Sequence, residues 1–332
     1  MDLIASDKLS YRQSLPLDAK ILLFKRVVMN YYDHFDGEVY GAFSGGKDST
    51  VLRHLIRSMG LKIPFVFSNT GLEYPEIVDF VKKENEKHGD IVIVRPERTF
   101  RDVIQNDGFP LVSKKVAEMV TRLRKPESES NAATRNLYLT GYKRDGSYSA
   151  GSKLSEKWKK LIDAPFNTTN KCCDALKKQP FKEYVKETGR KPIVGVMASE
   201  GGQRAMLTQC NVFEGANAQS RPMLAWSEAD VWEYIERFNV DYCEIYDDRV
   251  IDNVLIKGEE RTGCMFCAYG AHLEKGESRF QRMQKSHPKQ WNYCINKLGM
   301  GKALDFIGVK YEKELSSSEE QLFLNLDDDS NS

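Results

Sequence analysis

The sequence has no apolar run approaching the ~18 residues of a membrane span. Its opening, MDLIASDKLSYRQ, lacks the basic, apolar and small-residue regions of a secretory signal. A cytoplasmic protein without membrane spans is the expectation. Internal repeats are absent, and so is any overall charge bias: 49 Lys and Arg stand against 48 Asp and Glu, a formal +1. Net charge therefore points to no partner. Disulfides are not expected either, so the seven cysteines read as metal ligands, reactive thiols or core filler. What remains is 332 residues, 41% hydrophobic, enough for one large domain or two modest ones.

The charge that is present is unevenly spread. From Lys114 to Lys160 twelve Lys and Arg face five Asp and Glu, whereas from Tyr311 to Ser332 one Lys faces seven Asp and Glu. The first block is either a solvated surface or a phosphate-binding one; the second reads as a disordered acidic tail.

Periodicity gives an amphipathic helix over Leu17–Phe35, a short buried strand over Val39–Phe43, and a helix over Asp48–Met59. KIPFVFSNTG, YPEIVDFVKKENEKHG and DIVIVRP continue as strand, helix, strand, and KPIVGVMAS returns to strand from Lys191. This alternation predicts an α/β fold with a doubly wound, mostly parallel sheet, its ligand-binding turns at the carboxyl edge. Ser227 is a suitable N-cap for a helix in SEADVWEYIERFN, with Trp226, Val231, Trp232 and Ile235 in the core.

Between the first strand and its helix lies Ser44-Gly45-Gly46-Lys47-Asp48-Ser49, followed by Thr50. Glycines let backbone N–H groups approach an anion, and the helix N-terminus adds its positive end. The spacing is neither that of a Walker A loop nor that of a dinucleotide fingerprint. The hexapeptide resembles the PP-loop of ATP pyrophosphatases, in the adenine nucleotide alpha-hydrolase-like superfamily. The resemblance implies that Ser44, Gly45, Gly46, Lys47, Asp48, Ser49 and Thr50 bind ATP phosphates. It further implies that Asp48 contacts Mg²⁺, with Lys47 and Asp48 supporting cleavage between the α and β phosphates.

Cys172 and Cys173 are adjacent, and Cys264 and Cys267 form C-x-x-C. A C-x-x-C alone suits a redox pair, half a zinc site or a cluster. The tandem pair in CCDALKKQPF followed by a later C-x-x-C resembles the [4Fe-4S] site of the adenylylsulfate and phosphoadenylylsulfate reductase family. This implies a [4Fe-4S] cluster on the four thiols, with Zn²⁺ the alternative. Cys210, Cys243 and Cys294 read as small buried hydrophobes.

That resemblance runs from about Val39 to Cys267. SNTGLEYPE is similar to the family's D-T-G-x-x-x-P-E stretch, implying nucleotide contact at Gly71, although Asn69 stands where the pattern has Asp. GVMASEGGQR matches a second stretch at Glu200 and Arg204, with Met197 and Gly201 as departures. RPMLAWSEADVWEYI matches a third and makes Arg221 a candidate phosphate ligand. The reductases carry a C-terminal catalytic cysteine, whereas no cysteine follows Cys294 in this sequence. They also tend to carry a degraded PP-loop, and this one is intact.

The resemblance thus implies a PP-loop nucleotide-binding domain over 1–246 with a basic insertion at about 112–166. A cysteine-containing subdomain at 247–312 and the acidic tail at 313–332 complete the expected organisation. The expected activity is ATP cleavage to AMP and pyrophosphate, adenylating an acceptor for sulfur insertion. The acceptor is expected on nucleic acid, DNA or tRNA, with a sulfur donor such as a cysteine desulfurase, in a homo-oligomer or a larger complex. Sulfonucleotide reduction to sulfite with thioredoxin is one alternative reading, and a non-catalytic nucleotide-binding subunit another.

Overall fold

A computed structural model describes residues 5–251 and 254–312; the acidic segment 313–332 lies outside them. The described residues group into two compact units, 5–97 with 177–248 and 257–262, and 98–176 with 249–256 and 263–312.

The first unit is built on a six-stranded sheet. Strands β1 (Val39–Phe43), β2 (Phe65–Ser68), β3 (Ile91–Val94), β4 (Lys191–Ile193), β5 (Asn211–Val212) and β6 (Gln219–Ser220) stand in the order β3-β2-β1-β4-β6-β5. All neighbours are parallel except the terminal β5–β6 pair. The expected doubly wound, mostly parallel sheet is therefore present. The chain steps outward from β1 to β3, then returns to place β4 on the other side of β1. This makes the β1–β4 crevice the switch point, where open α/β sheets hold their ligands.

Six helices belong to this unit: α1 (Ala5–Gln13), α2 (Leu17–His34), α3 (Lys47–Ser58), α4 (Pro75–His88), α5 (Gln179–Thr188) and α6 (Glu228–Phe238). The central strands are apolar on both faces because helices cover both. Tyr40 and Val66 pack on Phe181 and Tyr184 of α5, while Phe43 and Phe65 lie under the Arg53 guanidinium of α3. Gly41 permits this packing, since a Cβ there would stand 2.4 Å from the Phe65 ring. Buried Arg53 in turn ties α3 to Glu84 of α4 and to Asp90, each at 2.5 Å.

On α2 the buried stripe Leu17, Ile21, Phe24, Val28 and Tyr31 has helical spacing but includes Lys20. Its ammonium is 2.9 and 2.7 Å from the two oxygens of Asp230, so the buried charge is paired. Asp230 also completes a capping box with Ser227 at the start of α6.

In the second unit the strand Leu111–Val112 runs parallel to Ala268–Tyr269, and Phe109 forms a parallel bridge with Thr168. Segment 109–112 thereby gathers two chain stretches a hundred residues apart. Helices Phe100–Asp107, Lys114–Leu123 and Ala132–Thr140 lie before them in the sequence, and Arg279–Ser286, Pro288–Asn292 and Met300–Ile307 after them. The basic block from Lys114 to Lys160 is helical at Lys114–Leu123 and Glu156–Lys159, and also in its centre at Ala132–Thr140. No helix among the described residues is long and apolar enough to cross a membrane.

Candidate functional site

The parallel strands β1, β2 and β4 deliver three loops, 44–49, 69–73 and 194–200, to one edge of the sheet. Loop 44–49 turns sharply at Gly45, whose φ is +73°. A Cβ there would also lie 2.8 Å from Ile77 and 2.9 Å from Val81 of α4, so glycine is required twice over.

The loop's hydroxyls hold its own shape. Ser49 Oγ donates to the Gly46 carbonyl at 2.9 Å and accepts the Ser44 N–H at 3.1 Å. Thr50 Oγ1 donates to the same carbonyl at 3.1 Å, and the Gly46 N–H donates to Ser44 Oγ at 3.3 Å. Ser49 and Thr50, expected as phosphate donors, are thus used as staples.

Lys47 is buried, and its ammonium is fully engaged. It lies 3.0 Å from Glu228 Oε1, donates to the Glu260 carbonyl at 3.0 Å, and stands 5.0 and 5.8 Å over the Tyr246 and Trp232 rings. The Lys47 N–H, first of α3, donates to Tyr246 Oη at 3.1 Å, and that oxygen lies 2.8 Å from Thr262 Oγ1. Burial pushes the Tyr246 phenol up to about 12, so it is neutral at physiological pH. Trp232, expected in the core, is only half-buried. One residue off the Val231, Tyr234 and Ile235 stripe of α6, it turns its edge to Tyr246.

Asp48 is the unsatisfied member of the loop. Its Oδ1 is buried with no hydrogen-bond partner. Burial raises its pKa, Lys47 opposes this, Glu200 and Glu228 reinforce it, and Arg204 opposes it. Glu200 and Arg204 are ion-paired with each other, and Glu200 Oε2 accepts the Met197 N–H at 3.1 Å. Both therefore fall within electrostatic reach of Asp48. A Cβ on Gly195 would meet the Asp48 carbonyl at 3.5 Å.

In loop 69–73, Asn69 Oδ1 accepts the Gly71 N–H at 3.2 Å, a bond an amide oxygen makes as well as a carboxylate. Gly71 has φ +75° and open space around it. Glu73 accepts from the Thr70 N–H at 2.9 Å, which fixes the loop. Arg221 is buried and donates to the Gln209 carbonyl at 3.1 Å, with Cys210 and Tyr31 in electrostatic reach. That hydrogen bond ties its guanidinium to the segment before β5 rather than to loop 44–49.

The four candidate metal ligands all fall in the second unit and none is in a disulfide. Cys172 and Cys173 open a helical stretch that continues as a π-turn at Asp174–Lys178. Cys267 N–H closes on the Cys264 carbonyl at 3.1 Å. Tyr269, beside segment 109–112, donates to the Thr169 carbonyl at 2.6 Å. Burial raises its phenol, and Cys172, Cys173 and Cys267 raise it further, so three of the four thiols fall within electrostatic reach of one hydroxyl. Among the described residues no group of three or more His, Cys, Asp or Glu is placed to hold a single metal ion. Cys243 and Cys294 are buried as expected. Cys210 is not: it is half-buried and lines a cavity.

Of the aromatics in the basic block, Trp158 is buried against His272. Tyr142 and Tyr148 are exposed, paired across a hairpin with ring centres 5.2 Å apart and Lys143 and Arg144 at its tip.

Among known proteins, the chain is 26% identical over 286 residues to an uncharacterized protein of Methanocaldococcus jannaschii, covering 82% of this chain and 51% of that one. It is 22% identical to an adenosine 5'-phosphosulfate reductase of Anoxybacillus flavithermus, over 74% of this chain and 78% of the other. The chain spans about half the length of the first relatives it matches. Among solved structures, a phosphoadenylyl-sulfate reductase from Candida auris in a phosphate complex aligns with a TM-score of 0.39 and 16% identity, covering 76% of this chain and 96% of that one. The model of the phosphoadenosine phosphosulfate reductase domain matches residues 38–154 and 136–269, more than half of the chain, and so this chain belongs to that family.

Proposed function

We propose that this chain is an ATP pyrophosphatase of the phosphoadenosine phosphosulfate reductase family that adenylates an acceptor oxygen for sulfur insertion. The observation that carries the reading is Asp48: a buried carboxylate oxygen without a partner, inside an intact loop at the sheet's switch point. Such a group suits a cation carried by nucleotide phosphates. Asp48 would hold Mg²⁺, which when bound supplies charge neutralisation to the phosphates.

The remaining roles fall to the chain itself. Gly45 and Gly46 let the backbone approach the phosphates, and the N-terminus of α3 favours their charge. Lys47, once released from Glu228, would stabilise charge on departing pyrophosphate. The acceptor oxygen attacks the α-phosphorus, the bond to the β-phosphate bridging oxygen breaks, and AMP on the acceptor is then a leaving group for a sulfur nucleophile.

The acceptor is proposed to be nucleic acid, DNA or tRNA, supported by the exposed Tyr142, Lys143, Arg144 and Tyr148 hairpin, and the sulfur is proposed to come from a donor protein such as a cysteine desulfurase. The cysteines are proposed to carry a [4Fe-4S] cluster. The donor set fits in kind: four cysteines outside any disulfide lie in one unit, three of them within electrostatic reach of Tyr269, and thiolates are the ligands such a cluster takes.

The test is release of AMP and pyrophosphate from ATP with Mg²⁺, with and without DNA or tRNA. Asp48→Ala is expected to abolish it, and wild-type release by that variant would refute the reading. Sulfonucleotide reduction is the second reading, favoured by the match to an adenosine 5'-phosphosulfate reductase. Against it, Cys294 is wholly buried, its thiol pushed up by that burial. Sulfite release with thioredoxin present would reverse the order.

A further inference from the structure

We propose that two linked stretches of the first unit, 244–248 and 257–262, form an autoinhibitory strap that fills the phosphate seat of loop 44–49 and must lift before a phosphate enters. The proposal rests on reading that loop as a phosphate seat, but not on cleavage of ATP.

The two stretches are tied to each other. The Glu259 N–H donates to the Ile245 carbonyl at 2.8 Å, and the Gly258 N–H donates to Asp248 Oδ1 at 3.0 Å. Tyr246 Oη lies 2.8 Å from Thr262 Oγ1. Where they cross, only glycine fits, since a Cβ on Gly258 would stand 2.1 Å from the Tyr246 carbonyl oxygen. They therefore move as one piece or come apart.

Together they lay three oxygens on the loop. Tyr246 Oη accepts the Lys47 N–H at 3.1 Å, one of the first-turn amides that a helix leaves without an internal acceptor. The Glu260 carbonyl accepts from the Lys47 ammonium at 3.0 Å. Thr262 Oγ1 and Tyr246 Oη would stand 2.8 and 3.0 Å from a Cβ on Gly46. That face of Gly46 has no room for a methyl group, and a phosphate is larger. The strap thus imitates the ligand, with neutral oxygens on the helix end and the lysine that a charged phosphate binds more strongly. Phosphate can displace it, but a seat open only part of the time binds in proportion to that fraction.

The experiment titrates inorganic pyrophosphate and ATP, each with Mg²⁺, into the full chain by calorimetry. Thr262→Ala removes the partner of Tyr246 Oη, Gly258→Ala forces the stretches apart, and neither alters loop 44–49. Each is expected to tighten both ligands about fivefold, the worth of one hydrogen bond. The Trp232 ring lies 5.9 Å from that of Tyr246, so its indole N–H resonance, assigned with Trp232→Phe, follows the strap. It should move on ligand binding, and in both variants should start nearer its liganded position. Thr262→Ala alone decides should Gly258→Ala fail to fold. Unchanged or weaker affinity overturns the proposal and makes the segment a fixed wall of the seat. So does binding that leaves the Trp232 resonance in place, or no binding by any variant. Tighter pyrophosphate binding without AMP release would sink the pyrophosphatase reading and leave the strap standing; AMP release with affinities indifferent to these substitutions would do the reverse.

Discussion

Lys47 Nζ stands 3.0 Å from Glu228 Oε1, so the cation of loop 44–49 is already matched by a carboxylate in this state. Nucleotide must compete with Glu228 for that ammonium. Glu228→Gln is therefore expected to tighten ATP binding, by about two- to fivefold given the half-exposed carboxylate and the modest value of such pairs. Calorimetric titration with ATP checks this, and weaker binding in the variant would show that Glu228 positions Lys47 for the nucleotide instead.

Asp48 carries a pH signature. Burial holds its pKa above the ordinary value, so the folded state binds its proton more readily than the unfolded chain. Stability then falls as pH rises above about 4, where the unfolded carboxyl ionises. Asp48→Asn removes this term. The variant should melt higher than wild type at pH 7–8, lose the difference near pH 4, and release no pyrophosphate. Thermal melts across pH read the first two, and a difference that grows toward acid would contradict the sign.

The Tyr246 hydroxyl accepts from the Lys47 N–H and touches Thr262. Tyr246→Phe leaves that amide without its acceptor and should cost about 1 kcal/mol in urea unfolding. With the hydroxyl gone from the helix end, ATP affinity should hold or rise. Full stability with lost affinity would instead make Tyr246 a nucleotide contact.

Anaerobically prepared protein should contain about four irons per chain with matching sulfide. Cys172→Ser and Cys264→Ser should each deplete both, whereas Cys210→Ser should not. Iron content unmoved by either of the first two substitutions would remove the cluster from these thiols.

Breaking the buried Lys20–Asp230 pair strands a carboxylate that also caps α6. Lys20→Met should cost about 3–5 kcal/mol, read by denaturant unfolding. The double variant with Asp230→Asn should recover part of it.

The loop and its flanking elements were legible because they are local. β1 occupies Val39–Phe43 as its apolar run predicts, and α3 starts one residue before the expected Asp48. Glycine and hydroxyl spacing within six residues then suffices to mark an anion turn. What surrounds Lys47 was not legible, because Tyr246 and Glu260 arrive from 199 and 213 residues away. Nothing in NVDYCEIYDD marks Tyr246 as the residue that reaches the helix end. Trp232 misled for a related reason: an aromatic beside an apolar stripe reads as core until the helix's rotation is known. Cys210 had no local signal of a cavity, since Arg12 and α2 supply the other walls. The two cysteine pairs were legible as pairs, but what brings members of both within electrostatic reach of Tyr269 is the pairing of 109–112 with both 167–169 and 268–269.

The contacts of Gly45 with Ile77 and Val81 mean that the curvature of the loop is stored outside it, on a helix thirty residues downstream. Grafting the hexapeptide onto another strand–helix junction would carry over its letters without its mould. Conversely, enlarging Ile77 should flatten the turn while leaving every residue of the loop in place. The heritable unit of this site is thus a loop and a helix together, and a search by hexapeptide alone will gather counterfeits.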